Sequence, residues 1–178
     1  ILKPETISSI FSIQTETLTT IRSSVTGKAF SSQQIFFDIL TNNLKVLIFC
    51  VLFSFLYGVG AIFILTWNAS VIGVAIGDTI KTEIFHISQE LNLNTGIEYL
   101  SIFSYGILRY TIHGIPEILS YFVAGLAGGI ISIAAIRHDF GTDKFEKIVL
   151  DSSTLLLISL VLVVVSAFLE VYVTPVFF

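Results

Sequence analysis

Three uninterrupted apolar runs, residues 44–66, 115–136 and 154–174, constrain this chain more than any other feature. Each is long enough to cross the roughly 30 Å hydrocarbon layer of a bilayer as a helix rising about 1.5 Å per residue. A soluble fold would have to bury three helices that are apolar on every face inside one 178-residue domain. Composition points the same way: mean hydropathy is +0.91, and charged residues make up 12% of the chain, against about 25% in an ordinary soluble domain. The pattern predicts an all-α, polytopic transmembrane helical bundle in the cell membrane, with the lipid bilayer as its first partner. A net charge of −4 without a basic face gives nucleic acid nothing to bind. Cys50, the single cysteine, lies inside the first run and reads as a small apolar filler. The chain starts at Ile1 and contains no methionine, so further residues are expected upstream.

Two of the runs carry one glutamate each, Glu117 and Glu170. A charged carboxylate at membrane depth costs about 3 kcal/mol even on lenient insertion scales, so such residues face a bundle interior or a wet cavity. His113 stands four positions before Glu117, and Asn42, Asn43 and Asn68 mark the ends of the first run. We therefore expect His113, Glu117, Glu170, Asn43 and Asn68 to form an intramembrane polar cluster, since each is costly against lipid. Gly114 and Pro116 predict a helix break just before Glu117, with Pro116 in a first turn and Glu117 capping its free N–H groups. A metal would want three protein ligands and only Glu170 offers itself as the third, so neither metal nor cofactor is expected. No serine or cysteine beside a base and no glycine-rich phosphate loop suggests an enzyme.

The remaining segments divide at residue 43. Residues 1–43 hold fourteen Ser or Thr, yet Ile7, Ile10, Phe11, Leu18, Ile21 and Val25 fall within about 60° of one direction at 100° per residue. That predicts an amphipathic, interfacial helix, with Pro4 in its first turn and Gly27 at its stop. Ser31 and Gln34 have capping-box spacing, so a second helix should start near Ser32 and lead into the 44–178 transmembrane domain. Trp67 and Asn68 read as an interface aromatic and a polar break. Residues 69–112 are broken into short apolar stretches, which fit re-entrant or half-helices, or else a solvent-exposed loop with surface helices. Gly73 and Gly77, and again Gly125 and Gly129, have the GxxxG spacing of close helix packing, within the chain first and in a homodimer second. Arg137, Lys144 and Lys147 make the loop 137–147 cytoplasmic by the positive-inside rule and place the C-terminus outside.

His113-Gly-Ile-Pro-Glu117 before a Gly/Ala-rich run, Asn42-Asn43 opening another, Asn68 after it, and Leu169-Glu170 with Thr174-Pro175 at the end together resemble the stage II sporulation protein M family of integral membrane proteins. The likeness covers roughly residues 36–176. It departs where Ala69 and Ile112 replace a usual glycine and a frequent proline. The resemblance implies about five spans, one of them upstream of Ile1 and another within residues 69–112. In spore formers the family member works with two cell-wall hydrolases, and relatives occur in bacteria and archaea that never sporulate. The resemblance thus favours a non-catalytic membrane scaffold that binds other membrane or envelope proteins. The polar cluster beside broken helices favours instead a small-solute, ion or proton-coupled transporter or channel. A cavity reaching both glutamates would discriminate for transport.

Overall fold

The computed structural model describes residues 9–17, 19, 31–58, 60–90, 96–137 and 141–178, and all of its regular structure there is helical. Four long helices carry it: α1 (Ser32–Tyr57), α2 (Ala61–Glu90), α3 (Gly96–Ile136) and α4 (Asp143–Phe168). A π-helical turn, Leu169–Val173, continues α4 into a last short helix, α5 (Thr174–Phe177). All four long helices are long and apolar enough to span a membrane.

α1 starts where the capping box places it. The Ser31 hydroxyl accepts from the Gln34 backbone N–H at 3.4 Å and the Gln34 side chain accepts from the Ser31 N–H. The helix does not run through residues 44–66 as one span. It stops at Tyr57, because Gly58 takes a φ of 68° and Ser54 donates to the Gly58 carbonyl at 2.9 Å. Gly60 passes so near the end of α1 that a Cβ there would lie 2.5 Å from the Phe53 carbonyl oxygen. Two glycines thus make a reversal that hydropathy alone cannot register.

α2 then runs without interruption through Trp67 and Asn68. The Asn68 amide donates to the Ile64 carbonyl at 2.9 Å, so it is satisfied within its own helix and breaks nothing. The described residues of 69–112 are thus not broken into short helices: 69–90 supply the second half of α2 and 96–112 the start of α3. α3 also overrides the expected break. Its 41 residues continue through Gly114 and Pro116, extending about 60 Å. A proline removes one backbone hydrogen bond, and in a membrane bundle neighbouring hydroxyls can serve carbonyls near it. Here Ser166 of α4 donates to the His113 carbonyl at 3.0 Å. Thr142, after Gly141 at φ 77°, caps α4 through the Phe145 N–H, so Lys144 and Lys147 belong to a helix rather than to a loop.

α3 is the central element, packed against α4, α1 and α2. Small residues bring it close. A Cβ on Gly128 would sit 2.5 Å from the Val51 carbonyl of α1, and one on Gly125 would sit 2.8 Å from the Ala61 Cβ of α2. Gly129 meets the Ser54 hydroxyl, and a fully enclosed core of Cys50, Tyr121, Ala124 and Val163 lies beside these contacts. Gly73 and Gly77, by contrast, have nothing within 4 Å of a Cβ position among the described residues. α1 and α2 share less contact with each other than either makes with α3, and their facing sides diverge into a groove. Hairpin packing puts the start of α1 and the C-terminus at one end of the bundle and Arg137 and Thr142 at the other.

The close approach is directly testable. Gly128→Ala forces a methyl onto backbone and should cost about 1–3 kcal/mol, lowering the thermal midpoint in detergent. Gly73→Ala and Gly77→Ala face open space and should leave it unchanged or raised. Equal losses at the three positions would mean that α3 and α1 do not meet at Gly128.

Candidate functional site

The groove between α1 and α2 is a cavity of about 1060 Å³ with α3 as its floor. Helical spacing explains its lining. Ile35, Ile39, Asn42, Val46, Phe49 and Phe53 recur on one face of α1, Ile64, Trp67, Asn68, Val71 and Ala75 on one face of α2, and Tyr110, His113 and Glu117 on α3. Asp38 and Asn43 join them from α1, and Glu170 enters from the π turn. The π turn itself has a local cause: Thr174 donates its N–H to the Leu169 carbonyl, five residues back, just before Pro175, which has no N–H to continue an α-helical ladder. The widened turn sits where Glu170 lines the cavity.

Five residues read from the sequence as a polar cluster, His113, Glu117, Glu170, Asn43 and Asn68, thus line one cavity. Their individual partners differ from those expected. Glu117 caps no helix terminus, because α3 has none there; its Oε1 instead accepts from the Tyr121 hydroxyl at 2.9 Å, one turn further on. Tyr121 is fully buried, so it is a fixed donor. His113 turns to the other end of the chain, its Nδ1 lying 3.3 Å from the Thr174 hydroxyl, with the Tyr110 ring edge-on at 6.1 Å. Asn43 is only 4% exposed, and its Nδ2 has no hydrogen-bond partner among the described residues. Glu170 likewise has none among them, and no cation is paired with either glutamate. Gly125 and Gly129 lie at the helix contacts described above, while Gly73 and Gly77 lie outside the bundle contacts.

Several groups that shape the site were not singled out in the sequence. Tyr121 stands at i+4 from Glu117, the spacing at which helical side chains meet, and that signal was available. Thr174 and Ser166 hold the His113 side chain and carbonyl from a helix more than fifty residues away, and nothing local announces such contacts. Trp67, read as an interface marker, lies within α2 on the groove wall. The amphipathic N-terminal helix is seen in part: residues 12–17 are helical, Gln14 lies 3.5 Å from the Ser70 hydroxyl, and Ile13, Glu16 and Thr17 line the cavity. Pro4, Ile7, Leu18, Ile21, Val25 and Gly27 fall outside the described residues.

A bundle of four membrane-length helices that keeps Glu117, Glu170, Asp38, His113 and three asparagines on one groove defines a multi-pass membrane protein with a polar site between its helices. The model of the family described as stage II sporulation protein M matches residues 6–175. The chain belongs to that family. A relative from Methanocaldococcus jannaschii, an uncharacterized protein, is 34% identical over 143 residues, which cover 78% of this chain and 70% of the relative. No solved structure matches.

The Tyr121 contact gives a second prediction. Tyr121→Phe removes the donor and leaves a carboxylate without a protein partner, which should cost about 1–3 kcal/mol of thermal stability. Glu117→Gln keeps an acceptor oxygen and should cost less. The double variant should fall short of the sum of the two, and strict additivity would show that the hydrogen bond does not form.

Proposed function

We propose that this protein is a membrane carrier that takes a cationic or proton-exchanging group into the groove, with Glu117 and Glu170 as its binding carboxylates. One observation carries the reading: both carboxylates reach a single large cavity, and no cation among the described residues neutralises them. Carboxylates kept only to hold helices together would be expected in sealed pairs, since a lone charge inside a bilayer is costly. A π turn placing one of them, and a histidine anchored by its Nδ1 side, are arrangements that recur where helices serve a site rather than only pack.

A scaffold role is favoured by a different observation. Gly73 and Gly77 form an open GxxxG stripe on α2, of the shape that admits a second membrane helix at short range. A second copy of this chain or another envelope protein docked there would leave the groove free, so the two roles are compatible. For orientation we propose that residues 137–142 face the cytoplasm, which puts the start of α1 and the C-terminus outside.

A membrane-permeant carbodiimide tests the carrier reading without knowledge of the ligand, because it adds to accessible carboxyl groups to give a stable N-acylurea. In native membranes Glu170 should be modified, as mapped by mass spectrometry, and faster than the Tyr121-bound Glu117. Sodium, potassium or methylammonium should slow the reaction several-fold against N-methylglucamine at equal ionic strength. An unreactive Glu170, or equal rates in every salt, would leave the carboxylates a structural role. Orientation is tested separately. Single cysteines at Ser31 and Phe178 should react with an impermeant thiol reagent in intact cells while one at Thr142 does not, and the reverse pattern would invert the topology; the native Cys50 is buried.

A further inference from the structure

The groove is not uniform along its length. Toward the Gly58–Gly60 turn it is walled by Phe49, Phe53, Phe63 and Ile64, and toward the other end Asp38, Asn43, His113, Glu117 and Glu170 stand among Ile35, Ile39, Ile72 and Ala75. The apolar walls are also open at the side. Phe63 is 73% and Phe49 52% exposed on a surface that faces lipid in a membrane-spanning bundle. From Asn43 to Phe53 the apolar stretch rises about 15 Å, half of the roughly 30 Å hydrocarbon core. The cavity therefore has a polar head, an apolar tail of one leaflet's depth and a lateral mouth.

The head selects by charge. Its carboxylates attract a cation and repel a phosphate, and lipid-depth surroundings strengthen both effects. Asn43, 4% exposed, also lines this end, and its Nδ2 has no hydrogen-bond partner among the described residues. A small inorganic cation would use only the head and would leave the apolar half to be filled by lipid. An aliphatic chain bearing an amine fills both halves, and its ammonium group compensates a carboxylate without any water having to follow it into the groove.

We propose that the ligand of this groove is a lipid-like amphiphile with a cationic amine headgroup, entering sideways from the bilayer between α1 and α2. The inference rests on the binding site of the preceding section and narrows its ligand. Glu170, free of protein partners among the described residues, receives the ammonium group, and Glu117 stands beside it with its second oxygen available. The chain lies along Phe49, Phe53 and Phe63.

Trp67, the single tryptophan of the 178 residues, lines the same groove and reports on occupancy. The full-length protein in lipid nanodiscs is titrated with a long-chain primary amine carrying bromines in mid-chain, which quench tryptophan on contact, and with the alcohol and the phosphate monoester of the same chain. The amine should quench saturably and at a mole fraction about tenfold below the alcohol, in line with a charge-assisted hydrogen bond. The unbrominated amine should reverse the quenching and methylamine should not. In Glu117→Gln/Glu170→Gln protein the amine should lose its advantage over the alcohol; if that variant does not fold, the ligand series on the unaltered protein decides the matter. Equal quenching by all three chains, or a preference for the phosphate, would overturn the proposal. Displacement by methylamine as effectively as by the long amine would also overturn it, yet would leave the cation site of the preceding section standing. Loss of both this preference and cation protection of Glu170 would remove that site as well.

Discussion

The structure depends on how closely α3 can lie on its neighbours. At Gly128 the missing side chain lets α3 rest on the Val51 carbonyl, and at Gly125 it lets α2 bring Ala61 against the same helix. In lipid there is little hydrophobic gain from joining two apolar helices, so contact area and backbone proximity supply the attraction. Ala124, Ala127 and Ala134 on α3 and Ser152, Ser159 and Ala167 on α4 extend the same narrow seam, all buried. Because this seam gathers α1, α2 and α4 on α3, and α1 touches α2 only weakly, the groove is the space left between two helices that share a floor.

Polar groups follow from that arrangement. At several tight helix contacts hydroxyls return to backbone carbonyls, Ser54 to Gly58, Ser120 to Glu117, Ser159 to Leu156 and Ser166 to His113, while the buried Ser152 hydroxyl of α4 has no partner among the described residues. These bonds satisfy polar atoms without opening the packing. On the groove the pattern changes, since Asn43 and Glu170 have no such return. The same chain therefore uses polar residues in two ways: as closed contacts at helix seams and as open ones around a cavity. A transport-type site needs the second kind, and a purely structural bundle needs only the first.

The long apolar runs made the helical membrane bundle legible, because hydropathy averaged over some twenty residues reports burial in lipid whatever the neighbours do. The capping box at Ser31 was equally legible, being a local exchange of hydrogen bonds. Boundaries inside apolar sequence were not. The reversal at Gly58 and Gly60 looks like any glycine-containing span until its backbone is seen, and Pro116 looks like a helix start until α3 is seen to run through it. A proline or asparagine in a membrane helix is a break only if nothing nearby satisfies the freed groups.

What the sequence determined by itself is that His113, Glu117, Glu170, Asn43 and Asn68 could not all face lipid, since desolvation penalises each one irrespective of fold. What only the tertiary structure decided is how they are shared out. Tyr121 holds Glu117, Thr174 holds His113, Asn68 folds back on its own helix, and Glu170 is left open to the cavity. Likewise both GxxxG pairs were visible, but among the described residues only Gly125 and Gly129 found partners, while Gly73 and Gly77 remained on an outer face. The cost of burying a group is a property of the residue, whereas the partner that offsets it depends on which helices meet and at what rotation.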